Sequence, residues 1–204
     1  HYTDREFWIA YWRAKTDLLV SVDKNYTFHK PLATIIKSHS IKTAIELGGF
    51  PGYYAIFLKK YFNVSSSLFD FFVDRSILSK VLKKNELTQD AIEIIEADLF
   101  NYYSEKKYDL VLSCGLIEHF DDTKDIINRH IQLLNDRGVL FISLPNFTGL
   151  NGWIQRKFDM YNFEKHNIRS MDLLLLKKIC HDLKLVDVKI EYYGKFTVWL
   201  EDVK

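Results

Sequence analysis

The sequence predicts an α/β fold with a mostly parallel β-sheet, helices on both faces and an antiparallel hairpin at its carboxyl end. From Ile41 onward, short apolar runs rich in β-branched residues alternate with longer amphipathic stretches, which is the pattern of repeated βαβ units. Parallel strands need crossover connections, and the amphipathic stretches are long enough to supply them. Near the end, the runs 186–193 and 196–201 flank Gly194 and Lys195, which predicts the closing hairpin.

Individual elements follow from the spacing of apolar residues. We predict five strands, at residues 43–47, 66–70, 91–96, 108–113 and 139–144. Apolar residues three or four positions apart predict helices at 53–61, at 77–84, and from Asp121 or Asp122 through Leu134. A turn is expected at 135–138, a long polar connection at 146–170 and a further helix at 171–183.

The first 40 residues are predicted to be a helical segment that caps or covers the sheet. Aromatic and aliphatic residues recur there at helical spacing and are interrupted near residues 23–30, so we expect two helices. We assign residues 1–40 to this segment and residues 41–204 to the sheet-containing part of the same domain.

Composition and charge indicate a soluble protein of the reducing cytoplasm. The formal net charge of +1 gives no general attraction to nucleic acid or an anionic membrane, so we expect neither as a partner. No stretch approaches membrane-spanning length, and charged residues interrupt each apolar run near the start, so no signal peptide is expected. Cys114 and Cys180 fall in a predicted strand and a predicted helix, which is neither a disulfide framework nor a metal-ligand spacing.

The strongest local feature is the turn from Glu46 to Gly52, where a buried strand runs into glycines and then into a helix. Gly48, Gly49 and Gly52 permit positive φ and close approach of a ligand to the backbone. The free N–H groups at the start of the helix favour a negatively charged group. Because such turns are also common as purely structural connections, this feature alone does not establish a binding site.

Acidic residues follow the next two predicted strands. Asp70 ends the second strand about 20 residues after the glycines, where a carboxylate can accept hydrogen bonds from both hydroxyls of a ribose; Asp74 is the fallback. Asp98 follows the third strand, where it can accept an amino proton from adenine while Leu99 packs on the ring. Each of these acids could instead be an ordinary strand-end or turn residue.

Together these motifs resemble those of class I S-adenosylmethionine-dependent methyltransferases over about residues 40–145. The family's glycine motif matches Glu46-Leu47-Gly48 and Gly52, its ribose acid matches Asp70, and its adenine-side acid matches Asp98. Its fourth-strand motif matches residues 108–113, and the most specific part is the phrase Gly115-Leu116-Ile117-Glu118-His119-Phe120. The run from Gly138 to Asn146 is similar to the family's fifth strand.

The glycine turn departs from the family at one position. The family commonly has a third glycine where this chain has Phe50, and the following Pro51 biases Phe50 towards an extended backbone. Phe50 is therefore expected either to shape the methionine end of the cofactor pocket or to block part of it.

The resemblance implies a Rossmann-like methyltransferase fold that binds S-adenosylmethionine and releases S-adenosylhomocysteine. It implies transfer of a methyl group to an acceptor, for which a small molecule is favoured over a protein. The residues that the resemblance assigns to the cofactor are Glu46, Gly48, Gly49, Phe50, Gly52, Asp70, Asp98, Leu99, Ser113, Cys114 and Gly115.

Catalytic and acceptor residues are less sharply indicated. If the acceptor is a hydroxyl, His119 is the first candidate base, because imidazole titrates near neutrality; alternatively, Glu118 and His119 organise the following turn and helix. Candidates for acceptor contact are Tyr26, Phe28 and Trp153, with core packing as the alternative, and His166, with a surface histidine as the alternative. The histidines and acids have no zinc-binding spacing, so no metal is expected.

Two other functions fit parts of the pattern. A nicotinamide-dependent oxidoreductase has a similar glycine turn and strand-end acid, but its pyrophosphate requires the glycine that Phe50 replaces. A noncatalytic binding module with the methyltransferase fold is the other alternative, favoured by Phe50 and opposed by the presence of Asp70 and Asp98.

Overall fold

A computed structural model of the protein describes residues 2–201, which form two compact units. The sheet unit comprises residues 5–114 and 129–142. The helical unit comprises residues 2–4, 115–128 and 143–201.

The sheet has five strands in the order β3-β2-β1-β4-β5. The strands are β1 (Thr43–Leu47), β2 (Ser65–Asp70), β3 (Glu93–Glu96), β4 (Tyr108–Cys114) and β5 (Leu134–Ser143). β1 pairs in parallel with β2 on one side and with β4 on the other, and β2 pairs in parallel with β3. This arrangement confirms the predicted Rossmann-like α/β fold.

Strand order makes the carboxyl end of β1 the natural place for a ligand. The chain leaves β1 towards β2 on one side, whereas β4 lies on the other, so the connections diverge at β1. In open α/β sheets a crevice forms at such a point, outside the carboxyl ends of the strands. The glycine turn predicted as a binding feature begins directly after β1, at Gly48.

The helices before β5 lie close to where the sequence predicts, except for the end of the fifth helix. They are α1 (Arg5–Ala14), α2 (His29–His39), α3 (Tyr53–Phe62), α4 (Arg75–Lys84) and α5 (Thr123–Ile131). α3 contacts β1 and β2 and buries residues 54–58. The two helices expected before residue 40 are thus confirmed, while the division of the domain at residue 40 stays a prediction. Within residues 2–201 we find no helix with the length and apolar character needed to cross a bilayer.

Asp74 and the buried Asn85 fix the two ends of α4. Asp74 caps α4, because its Oδ1 accepts hydrogen bonds from the N–H groups of Ser76 and Ile77 at 3.0 and 3.1 Å. At the other end of α4, the fully buried Asn85 accepts a bond from Val22 N–H at 2.7 Å. Its amide donates to Val20 O and Val81 O, each at 2.9 Å. Asn85 therefore attaches the segment before α2 to the end of α4.

The predicted boundary between α5 and β5 is wrong. Asp122 caps α5 as expected, but the helix ends at Ile131 and Leu134 already belongs to β5. The expected turn at 135–138 lies inside β5, where Arg137 has a φ of 63°. A Cβ on Gly138 would come within 3.1 Å of the Tyr108 carbonyl oxygen of β4, so the turn-like residues produce an irregularity within the strand.

The polar connection predicted at 146–170 is largely helical. The helical unit contains α6 (Gly149–Phe158), α7 (Met160–Glu164), α8 (Leu173–Asp182) and two 3₁₀ helices, Ile117–His119 and Ile168–Met171. Its polar residues are not solvated loop residues, because Gln155 and Asn162 are buried and hydrogen-bonded to each other. Gly152 lets α6 approach the Phe147 backbone, since a Cβ there would overlap the Phe147 carbonyl.

The closing antiparallel hairpin predicted at residues 186–193 and 196–201 is wrong: residues 186–201 contain no strand. Alternating apolar and polar residues are compatible with a β-strand, but a strand forms only where its backbone pairs with another strand. Here the backbone is bound by side chains of the helical unit instead. Gln155 Nε2 donates to Trp199 O, and Glu201 N–H donates to Asp159 Oδ2 at 2.6 Å.

Replacing Asn85 by alanine is expected to lower the free energy of unfolding by about 2–3 kcal/mol, because the buried Val22 N–H loses its acceptor. Urea unfolding followed by circular dichroism measures this loss. The exposed Asn25→Ala is the matched control and should change stability by less than about 0.5 kcal/mol. Equal stabilities of the two variants would show that Asn85 does not anchor this segment.

Candidate functional site

The turn between β1 and α3 requires glycine at several positions. Gly48 and Gly52 have φ values of 61° and 89°, a region that side chains with a Cβ rarely adopt. A Cβ on Gly49 would overlap the carboxyl group of Glu46, whose Oε1 would lie 2.7 Å away. The glycines therefore allow the chain to turn closely around the Glu46 side chain.

Glu46 holds the beginning of α3 against the end of β1. Its Oε2 accepts a hydrogen bond from Ala55 N–H at 2.7 Å, and the residue is 3% exposed. Burial raises the pKa of Glu46 to about 8, although the N–H groups of Ala55 and Tyr54 oppose this shift; the nearby Asp70 carboxylate adds to it. Near neutral pH Glu46 is therefore mostly protonated and acts as a buried hydrogen-bonding group.

Asp70, the last residue of β2, is bonded to the glycine turn. Its Oδ2 accepts a hydrogen bond from Phe50 N–H at 2.9 Å, and its Oδ1 accepts one from Phe72 N–H at 3.1 Å. Phe71 N–H is a third backbone donor to this carboxylate, so about one of its roughly four acceptor positions remains for another donor. Burial raises its pKa to about 6, although the backbone donors oppose the shift, so the side chain is largely ionised at neutral pH.

Phe50, at the position of the missing family glycine, is part of an aromatic contact. The side chain is 2% exposed, and its ring lies edge-on to Trp12 of α1 with centroids 5.3 Å apart. Phe72 lies on another side, at 6.2 Å. Sequence reasoning missed Trp12, although the aromatic spacing in α1 indicated that one face of this helix packs on other residues.

A second contact attaches α1 to the same edge of the sheet. Arg5 donates from Nε to Phe71 O at 3.2 Å and forms an ion pair with Glu96, the last residue of β3, at 3.0 Å. Its guanidinium also lies 5.8 Å from the ring centre of Phe72. Together with Trp12, these contacts hold α1 along the carboxyl ends of β1, β2 and β3.

The remaining predicted cofactor residues of the sheet unit are bonded to their neighbours. Asp98 Oδ1 accepts from Phe100 N–H at 2.9 Å and its Oδ2 from Asn101 Nδ2 at 2.6 Å, as a turn aspartate would, and Leu99 is 9% exposed. At the end of β4, the Ser113 hydroxyl lies 2.9 Å from His130 Nε2, and both residues are fully buried.

In the helical unit, His119 and His166 are brought together beside Glu118. The imidazole centroids are 4.7 Å apart, and the residues are 8% and 6% exposed. The alternative of a surface histidine at position 166 is therefore wrong. His119 Nδ1 donates to Lys165 O at 2.9 Å, and His166 Nδ1 donates to Asn162 O at 2.7 Å.

The ionisation of this cluster is dominated by burial. Burial lowers the pKa of His119 to about 3, with a contribution from His166, while its bond to the Lys165 carbonyl opposes the shift. Burial likewise raises the pKa of Glu118 to about 8. A general base works best with a pKa near neutrality, so burial makes His119 a weaker base, and its catalytic role stays a prediction.

Comparison with protein families identifies the family of this chain. The model of the methyltransferase domain matches residues 25–189, which is most of the chain. The chain belongs to the class I S-adenosylmethionine-dependent methyltransferases. A comparison with curated protein sequences finds no significant match.

Solved methyltransferase structures share the fold. An O-methyltransferase family protein from Burkholderia thailandensis has a TM-score of 0.57 and 15% identity, covering 89% of this chain and 65% of its own. A proposed methyltransferase from Bacillus halodurans also has a TM-score of 0.57, with 14% identity and coverages of 74% and 67%. A proposed sarcosine dimethylglycine methyltransferase from Galdieria sulphuraria is 22% identical, with a TM-score of 0.49 and coverages of 55% and 43%. The chain spans less than half the length of four such structures.

The three aromatic residues expected to contact the acceptor differ in their packing neighbours and in their exposure. In the sheet unit, Tyr26 packs against Tyr54 at 5.1 Å, and Phe28 packs against Phe141 at 5.6 Å, so core packing accounts for much of their environment. In the helical unit, Trp153 is 54% exposed on α6. Of these three side chains, Trp153 is the most accessible to an acceptor.

Replacing Glu46 by glutamine is expected to flatten the dependence of stability on pH. Because the folded-state pKa of about 8 lies above the value of 4.5 for a free glutamate, the folded methyltransferase retains a proton that the unfolded chain loses. Stability from this group therefore falls as the pH rises from about 4.5 to about 8, by on the order of a few kcal/mol. Glutamine can still accept the Ala55 bond but does not ionise.

Urea unfolding at several values between pH 5 and pH 8 measures the effect. The Glu46→Gln variant should gain stability relative to the unsubstituted protein as the pH rises, whereas the exposed-site control Glu105→Gln should not. Parallel pH curves for the Glu46 variant and the unsubstituted protein would contradict the burial of a protonated Glu46.

Proposed function

We propose that this chain uses S-adenosylmethionine to methylate a small-molecule acceptor and releases S-adenosylhomocysteine. Membership of the methyltransferase family supports the reaction. The observation that carries most weight is that Asp70, the last residue of β2, lies against the glycine turn after β1, where its Oδ2 accepts a hydrogen bond from Phe50 N–H at 2.9 Å. The near-zero net charge favours a small molecule over nucleic acid as the acceptor.

The residues after β1, β2 and β3 would contact different parts of the cofactor. Asp70 would accept hydrogen bonds from the ribose hydroxyls, and Asp98 with Leu99 would contact adenine. The glycine turn would bring backbone N–H groups close to the methionine carboxylate, at the start of α3. We extend the proposed cofactor contacts to the remaining residues of the family pattern, Glu46, Phe50, Ser113, Cys114 and Gly115.

The main tasks of the protein in this reaction would be to position the acceptor against the cofactor and to exclude water. The cofactor supplies a methyl group on a positively charged sulfur, which is a good leaving group, so alignment of the acceptor provides much of the acceleration. The contacts of Trp12 with Phe50 and of Arg5 with Glu96 place α1 at the carboxyl ends of the strands, where it would limit access of water to the reacting groups.

For acceptor contact we propose Trp153 as the most accessible aromatic candidate, and Tyr26 and Phe28 as contacts from the sheet unit. Their partners Tyr54 and Phe141 would keep the two sheet-unit rings in fixed orientations. Aromatic surroundings suit an acceptor with an apolar or ring-containing skeleton.

The Asp70→Asn substitution is expected to weaken binding of S-adenosylhomocysteine about 10- to 100-fold, because the amide removes the charge and one acceptor oxygen. Isothermal titration calorimetry measures the change. Asp74→Asn is the matched control: asparagine caps a helix as well as aspartate, so affinity should stay within about twofold.

Three outcomes would overturn parts of the proposal. Equal affinities of the two variants would remove the assignment of the ribose contact to Asp70. Binding of NADH without binding of S-adenosylhomocysteine at ~1 mM, where the binding free energy is about −4 kcal/mol, would favour an oxidoreductase. Binding without methylation of any compound in a broad acceptor panel would favour the noncatalytic module.

A further inference from the structure

Three buried side chains of the helical unit bring metal-ligating atoms together. One ligand atom from each of Glu118, His119 and His166 lies within 4.8 Å of the other two. The residues are 1%, 8% and 6% exposed, so water screens them little. Methyl transfer from a sulfonium does not need such a cluster, and the proposed cofactor residues do not account for it.

The hydrogen bonds of both histidines select the tautomer that binds metals. Each ring donates its Nδ1 proton to a backbone carbonyl, Lys165 O in one case and Asn162 O in the other. A neutral imidazole with its proton on Nδ1 carries its lone pair on Nε2. Metal-binding histidines are commonly held in this way: the ring nitrogen that does not bind the metal donates its N–H to a carbonyl or carboxylate.

A buried oxygen of Glu118 also indicates a ligand at this cluster. Its Oε2 is buried and has no hydrogen-bond partner among residues 2–201. An unsatisfied buried acceptor is costly, and native proteins rarely retain one without a ligand, an ion or a water at that point. A cation bound between Glu118 and the two imidazoles would satisfy this oxygen.

Backbone hydrogen bonds hold the cluster residues in position. Asn167 N–H donates to Glu118 O at 2.6 Å, and Tyr2 N–H donates to His119 O at 2.9 Å. The Phe147 ring packs 4.8 Å from that of His166. These contacts limit the loss of conformational freedom when a ligand set closes around an ion.

We propose that Glu118, His119 and His166 form a binding site for one first-row divalent cation, with Zn²⁺ as the preferred ion. Imidazole nitrogens and a carboxylate oxygen are ligands of Zn²⁺, and three protein ligands leave a fourth position open to water or to an oxygen of a bound molecule. Tetrahedral coordination with bonds of about 2.0–2.1 Å needs ligand atoms about 3.3 Å apart, so the side chains would close in from a cluster in which ligand atoms lie within 4.8 Å of one another.

This proposal opposes the expectation from sequence that no metal binds. His166 follows Glu118 and His119 after a long, mostly helical segment, so the three residues do not form a short spacing motif. If the ion binds, Nε2 of His119 is a ligand and is not available as a general base. The two roles proposed for His119 therefore exclude each other.

The test uses the full chain, freed of metal with a chelator and titrated with Zn²⁺ in a calorimeter. We expect binding of one equivalent, and at least about 100-fold weaker binding by Glu118→Gln and by His166→Gln. The matched control is His181→Gln, which replaces an exposed histidine of α8 and should leave the affinity unchanged. Circular dichroism establishes that each variant is folded.

A second readout keeps the test decisive if a variant does not fold. Co²⁺ added to the metal-free, unsubstituted chain should give the intense visible bands of a four- or five-coordinate site instead of the weak spectrum of the hydrated ion. Retention of Zn²⁺ affinity by both folded variants would overturn the proposal. So would a spectrum of hydrated Co²⁺, or the absence of Zn²⁺ binding at ~1 mM.

Discussion

The hydrogen bond from Phe50 N–H to the Asp70 carboxylate joins the turn after β1 to the end of β2, and the candidate cofactor site depends on it. This bond fixes the backbone at the one turn position where an aromatic residue replaces glycine. Phe50 is thereby held where Trp12 of α1 packs against it. The Glu46 bond to α3 fixes the other side of the same turn. Two buried carboxylates thus determine the path of the chain between β1 and α3.

The two carboxylates differ in charge near neutral pH, and their surroundings explain the difference. Both are desolvated, which raises both pKa values, to about 8 for Glu46 and about 6 for Asp70. The nearby Asp70 carboxylate adds a smaller contribution to the raised pKa of Glu46, whose main cause is burial. Separation of the pKa values of neighbouring groups is typical of sites that assign them different tasks. Glu46 is thus the neutral hydrogen-bonding member of the pair, and Asp70 is the charged member to which we propose to assign the ribose contact.

The sequence could predict the sheet and the position of Asp70 beside the glycine turn because the signals for both are local. Strand and helix periods place Asp70 at the end of β2, and parallel strands bring that end beside the turn after β1. The positions of Arg5 and Trp12 could not be predicted, since they depend on how α1 docks on residues far along the chain. The prediction of the carboxyl-terminal hairpin was wrong for a related reason. Alternation of apolar and polar residues shows that a segment can form a strand, but it does not supply a partner strand.

The Glu118, His119 and His166 cluster illustrates the same limit for chemistry. Glu118 and His119 are adjacent and stand out in the family pattern, but nothing local connects them with His166. Their meeting depends on helices α6 and α7, which form where polar composition predicted a loop, because the polar side chains of that segment bond to one another. His166, a candidate for acceptor contact whose alternative was an exposed surface histidine, is thus buried beside another imidazole. Where tertiary packing brings ligand atoms together, the separation of their residues in the sequence carries little information about the site. The positions and orientations of the ligand atoms in the folded chain reveal the cluster.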